Sequence, residues 1–231
     1  PVPSGVAPAW RLSSLGTLPG LPFQAAAVAD SETGSIAVSA RSCTETAVRD
    51  GTSMYDCSAA VARADDGRSW TPVGTVRLAT GYVPVSSGPE PGIVDVAAGP
   101  GGYVAVGFAR DGGAAPVMGI GDGAAWWSAD GVTWERTLLE AGARPSTVFR
   151  ARDRWLIGGV VYRGVDLRSD RPIGAIWTST DGRTWSRIED GSAFDIGGYV
   201  DTMEDPSAGG IAAFAWDGEA IVAGGQVCAE G

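Results

Sequence analysis

One nine-residue phrase occurs twice in this chain, as WWSADGVTW at residues 126–134 and WTSTDGRTW at residues 177–185, and a worn third copy, ARADDGRSW, stands at 62–70. In each copy an aspartate lies four residues before a tryptophan, a glycine three before and a hydroxyl residue one before. The corresponding residues are Asp66, Gly67 and Trp70, then Asp130, Gly131 and Trp134, then Asp181, Gly182 and Trp185. A serine two places before the aspartate, Ser128 and Ser179, becomes Ala64 in the first copy. An internal repeat constrains a fold more than any single motif does. Each copy must be a small unit that buries its apolar surface against its neighbours.

A second repeat runs out of phase with the first. AAAVADSETGSIAVSA (25–40), VDVAAGPGGYVAVGF (94–108), VFRARDRWLIGGVV (148–161) and AAFAWDGEAIVAGG (212–225) each hold two short apolar runs around a Gly- or Asp-containing turn. Each reads as a β-hairpin. The Asp-Gly phrases fall between these hairpins, each as the turn of another hairpin. One unit is therefore four strands, and units recur about every 50–65 residues, the pattern of a β-propeller blade. No segment carries a 3.6-residue period, so helices should be few. The expected fold is all-β, a β-propeller of four-stranded antiparallel blades. A lone last strand falls at 9–20, blades at 21–79, 91–140 and 145–189, and a half blade at 209–231. With about three full blades plus partial ones, the chain reads as a piece of a roughly six- to eight-bladed propeller.

The phrase S-x-D-G-x-T-W resembles the Asp-box, or BNR repeat, of sialidase-like β-propellers, without the residue that usually separates Asp from Gly. The form is similar to that of secreted bacterial members. The resemblance implies that the box is a structural turn on the face opposite the ligand site. Elementary chemistry agrees. Aspartate at a tight turn accepts backbone N–H bonds, glycine supplies a positive φ, and the serine or threonine hydroxyl bonds locally. The tryptophan covers apolar area between neighbouring blades. The arginine triad and tyrosine–glutamate pair of sialidases cannot be assigned residue by residue. Arg171-Pro172-Ile173 reverses the order of that family's Arg-Ile-Pro segment.

Composition narrows the function. Histidine is absent, and all 17 basic residues are arginine. Ser-His-Asp and Cys-His catalysis within the chain is excluded, as is an HExxH metal site. The net charge of −10 comes without a basic stripe, which argues against nucleic acid as a partner. No apolar run is long enough to span a membrane. An enzyme built from this chain would work with carboxylates, as a glycoside hydrolase does with a pair of them. The reading preferred over that one is a binding module for a carbohydrate or a protein surface, with no cofactor.

Binding is expected where loops are long. In a four-stranded unit the second-to-third connections share one end with the links between units. Those segments are 41–57, 109–123 and 162–173, with 79–91 and 190–208. The stretch YRGVDLRSDRP is the richest, with Tyr162, Arg163, Asp166, Arg168, Asp170 and Arg171 as candidate ligand contacts. Arginine forks suit carboxylates and sugar hydroxyls. FDIGGYVDTMEDP (194–206) adds Tyr199 and four acidic residues, a composition that admits calcium but lacks the spacing of a known calcium loop. Cys43 and Cys57 flank the first long connection, and a disulfide between them would staple it. Such a bond implies a secreted, periplasmic or cell-surface protein. Cys228 matches Cys43 in register and is expected to be unpaired within this chain, with the propeller continuing beyond residue 231.

Overall fold

The structure, a computed structural model, describes residues 21–31, 34–49, 52–66, 68–82, 91–111, 122–162, 173–188, 210–216 and 219–226. These residues form β-strands and turns with no helix, and so no helix long and apolar enough to cross a membrane. The first unit holds β1 (Ala25–Ser31), β2 (Gly34–Ser39), β3 (Ser42–Arg49), β4 (Thr52–Ala64) and β5 (Thr71–Tyr82). The second holds β6 (Gly92–Gly99), β7 (Gly102–Asp111), β8 (Asp122–Ser128) and β9 (Glu135–Leu138). The third holds β10 (Ala143–Ala151), β11 (Arg154–Val161), β12 (Ile173–Ser179) and β13 (Ser186–Arg187). A final hairpin joins β14 (Gly210–Trp216) to β15 (Ile221–Gln226).

The four hairpins read from the sequence are β1–β2, β6–β7, β10–β11 and β14–β15, all antiparallel. Third and fourth strands then add in order, as in β10-β11-β12-β13. A short parallel bridge, Ala79 to Arg110 and Thr80 to Asp111, joins the first two units into one sheet. One feature of the repeat lies below the resolution of the sequence pattern. Each first strand slips register near its start, between Ala25 and Ala27, Ile93 and Asp95, Pro145 and Thr147, and Ile211 and Ala213. A bulge bends its strand and increases local twist. Its recurrence at one place in four hairpins marks them as copies of one structural unit.

The cores lie between successive units. Alternate residues of a strand point to opposite faces. On β7, Tyr103 and Ala105 pack with Ile36, Val38, Val61 and Leu78 of the first unit. Val104 and Val106 on its other face pack with Val148, Trp155, Ile157 and Trp177 of the third. Burial on both faces explains why YVAVGF is an unbroken apolar run. First strands lie against one another in chain order, β1 on β6, β6 on β10 and β10 on β14. Polar bonds fix these seams. Asp95 Oδ2 accepts from Thr147 Oγ1 at 3.0 Å and from the Val148 N–H at 2.8 Å. Trp126 Nε1 donates to the Arg77 carbonyl at 3.1 Å.

Two expectations meet a different structure or none. The segment 41–57, read as a loop, is largely the β3–β4 hairpin, because alternating residues on either side of Asp50-Gly51 let the connection continue as paired strands. Within it Cys43 and Cys57 face each other across the ladder and are disulfide-bonded, with Cα atoms 4.1 Å apart. The expected lone strand at 9–20 and Cys228 lie outside the described residues.

Candidate functional site

The repeated phrase contains the most conspicuous carboxylates, and its geometry shows what they do. Asp130 Oδ1 accepts the N–H groups of Val132 and Thr133, at 2.8 and 2.9 Å, and the Ser128 hydroxyl at 3.0 Å. Ser128 Oγ in turn accepts the Gly131 N–H at 2.8 Å. The third copy repeats this bond for bond. Asp181 takes the N–H groups of Arg183 and Thr184, both at 2.8 Å, and the Ser179 hydroxyl at 2.9 Å, while Ser179 Oγ takes the Gly182 N–H. Gly131 and Gly182 both have φ of 74°. In the first copy Asp66 accepts from the N–H groups of Arg68 and Ser69, and Ala64 removes the serine bond. Gly67 lies outside the described residues.

These bonds favour the ionised carboxylate. The Thr184 N–H, offset in part by burial and reinforced by Arg183, brings Asp181 down to about 2. The Thr133 and Val132 N–H groups lower Asp130, and those of Ser69 and Arg68 lower Asp66. A general acid needs a raised pKa and a nucleophile needs free lone pairs, so the arrangement suits a turn rather than catalysis. The tryptophans complete it. Trp134 packs in the core shared by the first and second units, and Trp185 in the core shared by the second and third. Trp70 packs on the outer face of the first unit. Gly182 sits against Trp127 and Val104 of the preceding unit, and Gly131 against Ile36 of its own predecessor.

The opposite end of each unit carries the long connections. Of the residues singled out there, Arg163, Asp166, Arg168, Asp170, Arg171 and Tyr199 lie outside the described residues, as does the acidic stretch 194–206. Tyr162 is described. It follows β11, is half-buried, and donates its N–H to the Gly142 carbonyl at 3.0 Å. The bond requires the backbone of Gly142 to lie close, and a Cβ there would sit 2.1 Å from the Tyr162 carbonyl oxygen. Gly142 adopts φ of 78°, which glycine alone accepts without strain.

Beside Tyr162 lies a residue the sequence reading passed over. Arg144, the second residue of β10, is only 9% exposed. Its guanidinium carbon stands 4.7 Å from the centre of the Tyr162 ring. Its Nε has no hydrogen-bond partner, and no acidic side chain among the described residues pairs with it. Burial pushes the guanidinium below its ordinary pKa, partly opposed by Tyr162, yet an arginine keeps its charge at any physiological pH. A buried unpaired cation is costly, and buried charges are normally paired. By the register of the bulges its counterparts in the other units are Gln24, Gly92 and Gly210, so no apolar pattern in the sequence set this arginine apart. Arg110, near the end of β7 at the same end of the fold, is buried too, at 4% exposure.

No protein-family model, no curated protein and no solved structure matches the chain.

Proposed function

We propose that this chain is part of a β-propeller that acts as a binding module for a carbohydrate or protein surface bearing an anionic group, seated at the long-connection end on Arg144 and Tyr162. Successive sheets that pack face to face, with first strands side by side, are what propeller blades require. The Asp-Gly turns, similar to Asp-boxes, hold the far end of each blade to its predecessor. The Cys43–Cys57 bond supports an extracellular or cell-envelope setting, where such a bond persists.

The unpaired guanidinium of Arg144 carries the reading. Arginine presents a planar fork that matches a carboxylate in two parallel hydrogen bonds. Holding that fork against the Tyr162 ring fixes its orientation before a ligand arrives, which lowers the entropy lost on binding. The desolvated site strengthens the contact once an anion displaces water.

The test is a glycan array carrying uronic-acid, sialic-acid, sulfated and neutral sugars, probed with the parent protein and with Arg144→Gln. The parent is expected to retain acidic glycans over neutral ones, and Arg144→Gln to lose that preference while melting no lower than the parent. Equal retention of acidic glycans by both proteins would remove Arg144 from the site.

A further inference from the structure

The first unit carries a strand, β3, with no counterpart among the described residues of the other units. β3 and the start of β4 form a hairpin that extends the long-connection end of the unit, and β5 pairs along the other side of β4 as far as Tyr82. Among the described residues β3 pairs with β4 alone, so its far edge is open. Every residue from 42 to 48 is exposed.

The disulfide shows which backbone groups that edge presents. Facing residues of an antiparallel pair alternate between two kinds of site. At one kind they exchange hydrogen bonds and their Cα atoms lie about 5.5 Å apart, and at the other they do not and lie about 4.5 Å apart. Cys43 and Cys57 stand 4.1 Å apart and form a site of the second kind. The N–H and C=O of Cys43 therefore point away from β4, towards the open edge. Glu45 lies two residues on and faces Tyr55, so its N–H and C=O point the same way. A bulge at Thr46 then ends the regular stretch.

This edge is held in place. Cys57 is buried in the core between the first and second units, and Tyr55 packs against that core. The disulfide ties β3 to the same anchor. A strand already fixed in extended form loses little freedom when another pairs with it.

We infer that the β3 edge at residues 43–45 is a docking site for a short extended segment of a basic polypeptide, which adds to the sheet as an antiparallel strand. Backbone hydrogen bonds hold an added strand, and the side chains along the edge select it. Glu45 makes the selection here. It is exposed and pairs with no cation among the described residues. A lysine or arginine directly opposite it on the added strand stands in ion-pairing position. The net charge of −10 draws a basic segment towards the chain and repels a second copy of it. The site is separate from the anionic-ligand end at Arg144.

The experiment follows the backbone amide resonances of ¹⁵N-labelled parent protein during titration with a synthetic peptide of alternating threonine and valine around a central lysine. The peptide should shift the Cys43 and Glu45 amides in a saturable manner. The same peptide with a central glutamate should bind about fivefold more weakly, and Glu45→Lys should reverse that order. A version of the lysine peptide N-methylated along its pairing edge should not bind, and Arg144→Gln should bind the lysine peptide as the parent does. The inference is overturned if millimolar lysine peptide leaves the two amides unshifted, or if the N-methylated peptide binds equally well. It is also overturned if Glu45→Lys keeps the parent's order of preference. Dimers of the parent alone, with the two amides shifting on dilution, would assign the edge to a second copy and overturn it too.

Discussion

Replacing Arg144 by methionine should make the ligand-free protein more stable. The substitution keeps an unbranched side chain against Tyr162 and removes a charge from a site only 9% exposed. The effective cost of burying an ion is several kcal/mol after relaxation, and the Arg144 Nε is buried without a hydrogen-bond partner. Against this stands the stacking of the guanidinium on Tyr162 at 4.7 Å, worth about 0.5–2 kcal/mol. A methionine sulfur near the same ring recovers part of that, about 0.3–1.5 kcal/mol. The net expectation is a gain of about 1–3 kcal/mol. Urea denaturation followed by tryptophan fluorescence measures it, provided the slope with denaturant is the same in both proteins. A loss of stability would mean that the fold itself supplies the counter-charge. The motive for placing a ligand there would then disappear.

Three further outcomes follow from the turns and the disulfide. Gly131→Ala and Gly182→Ala impose the same positive φ on alanine, about 1–2 kcal/mol, but a Cβ at Gly182 meets Trp127 at 2.6 Å whereas one at Gly131 has 3.3 Å of clearance to Ile36. Denaturant titration should therefore show Gly182→Ala to be the more harmful by about 1–3 kcal/mol of overpacking, and the reverse order would refute the packing of this turn on its predecessor. Asp181 has a depressed pKa of about 2, so its stabilisation is complete above the ordinary value of 3.8 and is lost as pH falls from there towards 2. The parent should lose more stability over that interval than Asp181→Ala does, and parallel acid titrations would contradict the assignment. Replacing Cys43 and Cys57 together by alanine should cost about 3 kcal/mol by loop entropy, read as a lower melting temperature that matches the reduced parent.

The architecture was legible where local chemistry and periodicity agree. Hairpins announced themselves through Gly- or Asp-containing turns between apolar runs, and the turn phrase through residues whose side chains bond within the turn itself. The β3–β4 extension was missed although Asp50-Gly51 is a strong hairpin signal, because the flanking residues are too polar to suggest a buried strand. The bulges at Val94, Ser146 and Ala212 leave no mark, since a one-residue register slip depends on how the hairpin meets its neighbour. Arg144 was invisible for a related reason. Its charge looks like any surface arginine until the seam between units buries it.

The division of labour between the two ends of the fold is the central claim, and one calorimetric comparison tests it. The acidic glycan best retained on the array is titrated into the parent, Asp181→Ala and Arg144→Gln under identical conditions. Asp181→Ala should bind like the parent despite a lower melting temperature, and Arg144→Gln should bind at least tenfold more weakly at a melting temperature no lower than the parent's. Loss of binding in Asp181→Ala with retention in Arg144→Gln would place the ligand at the Asp-Gly turns and contradict the account.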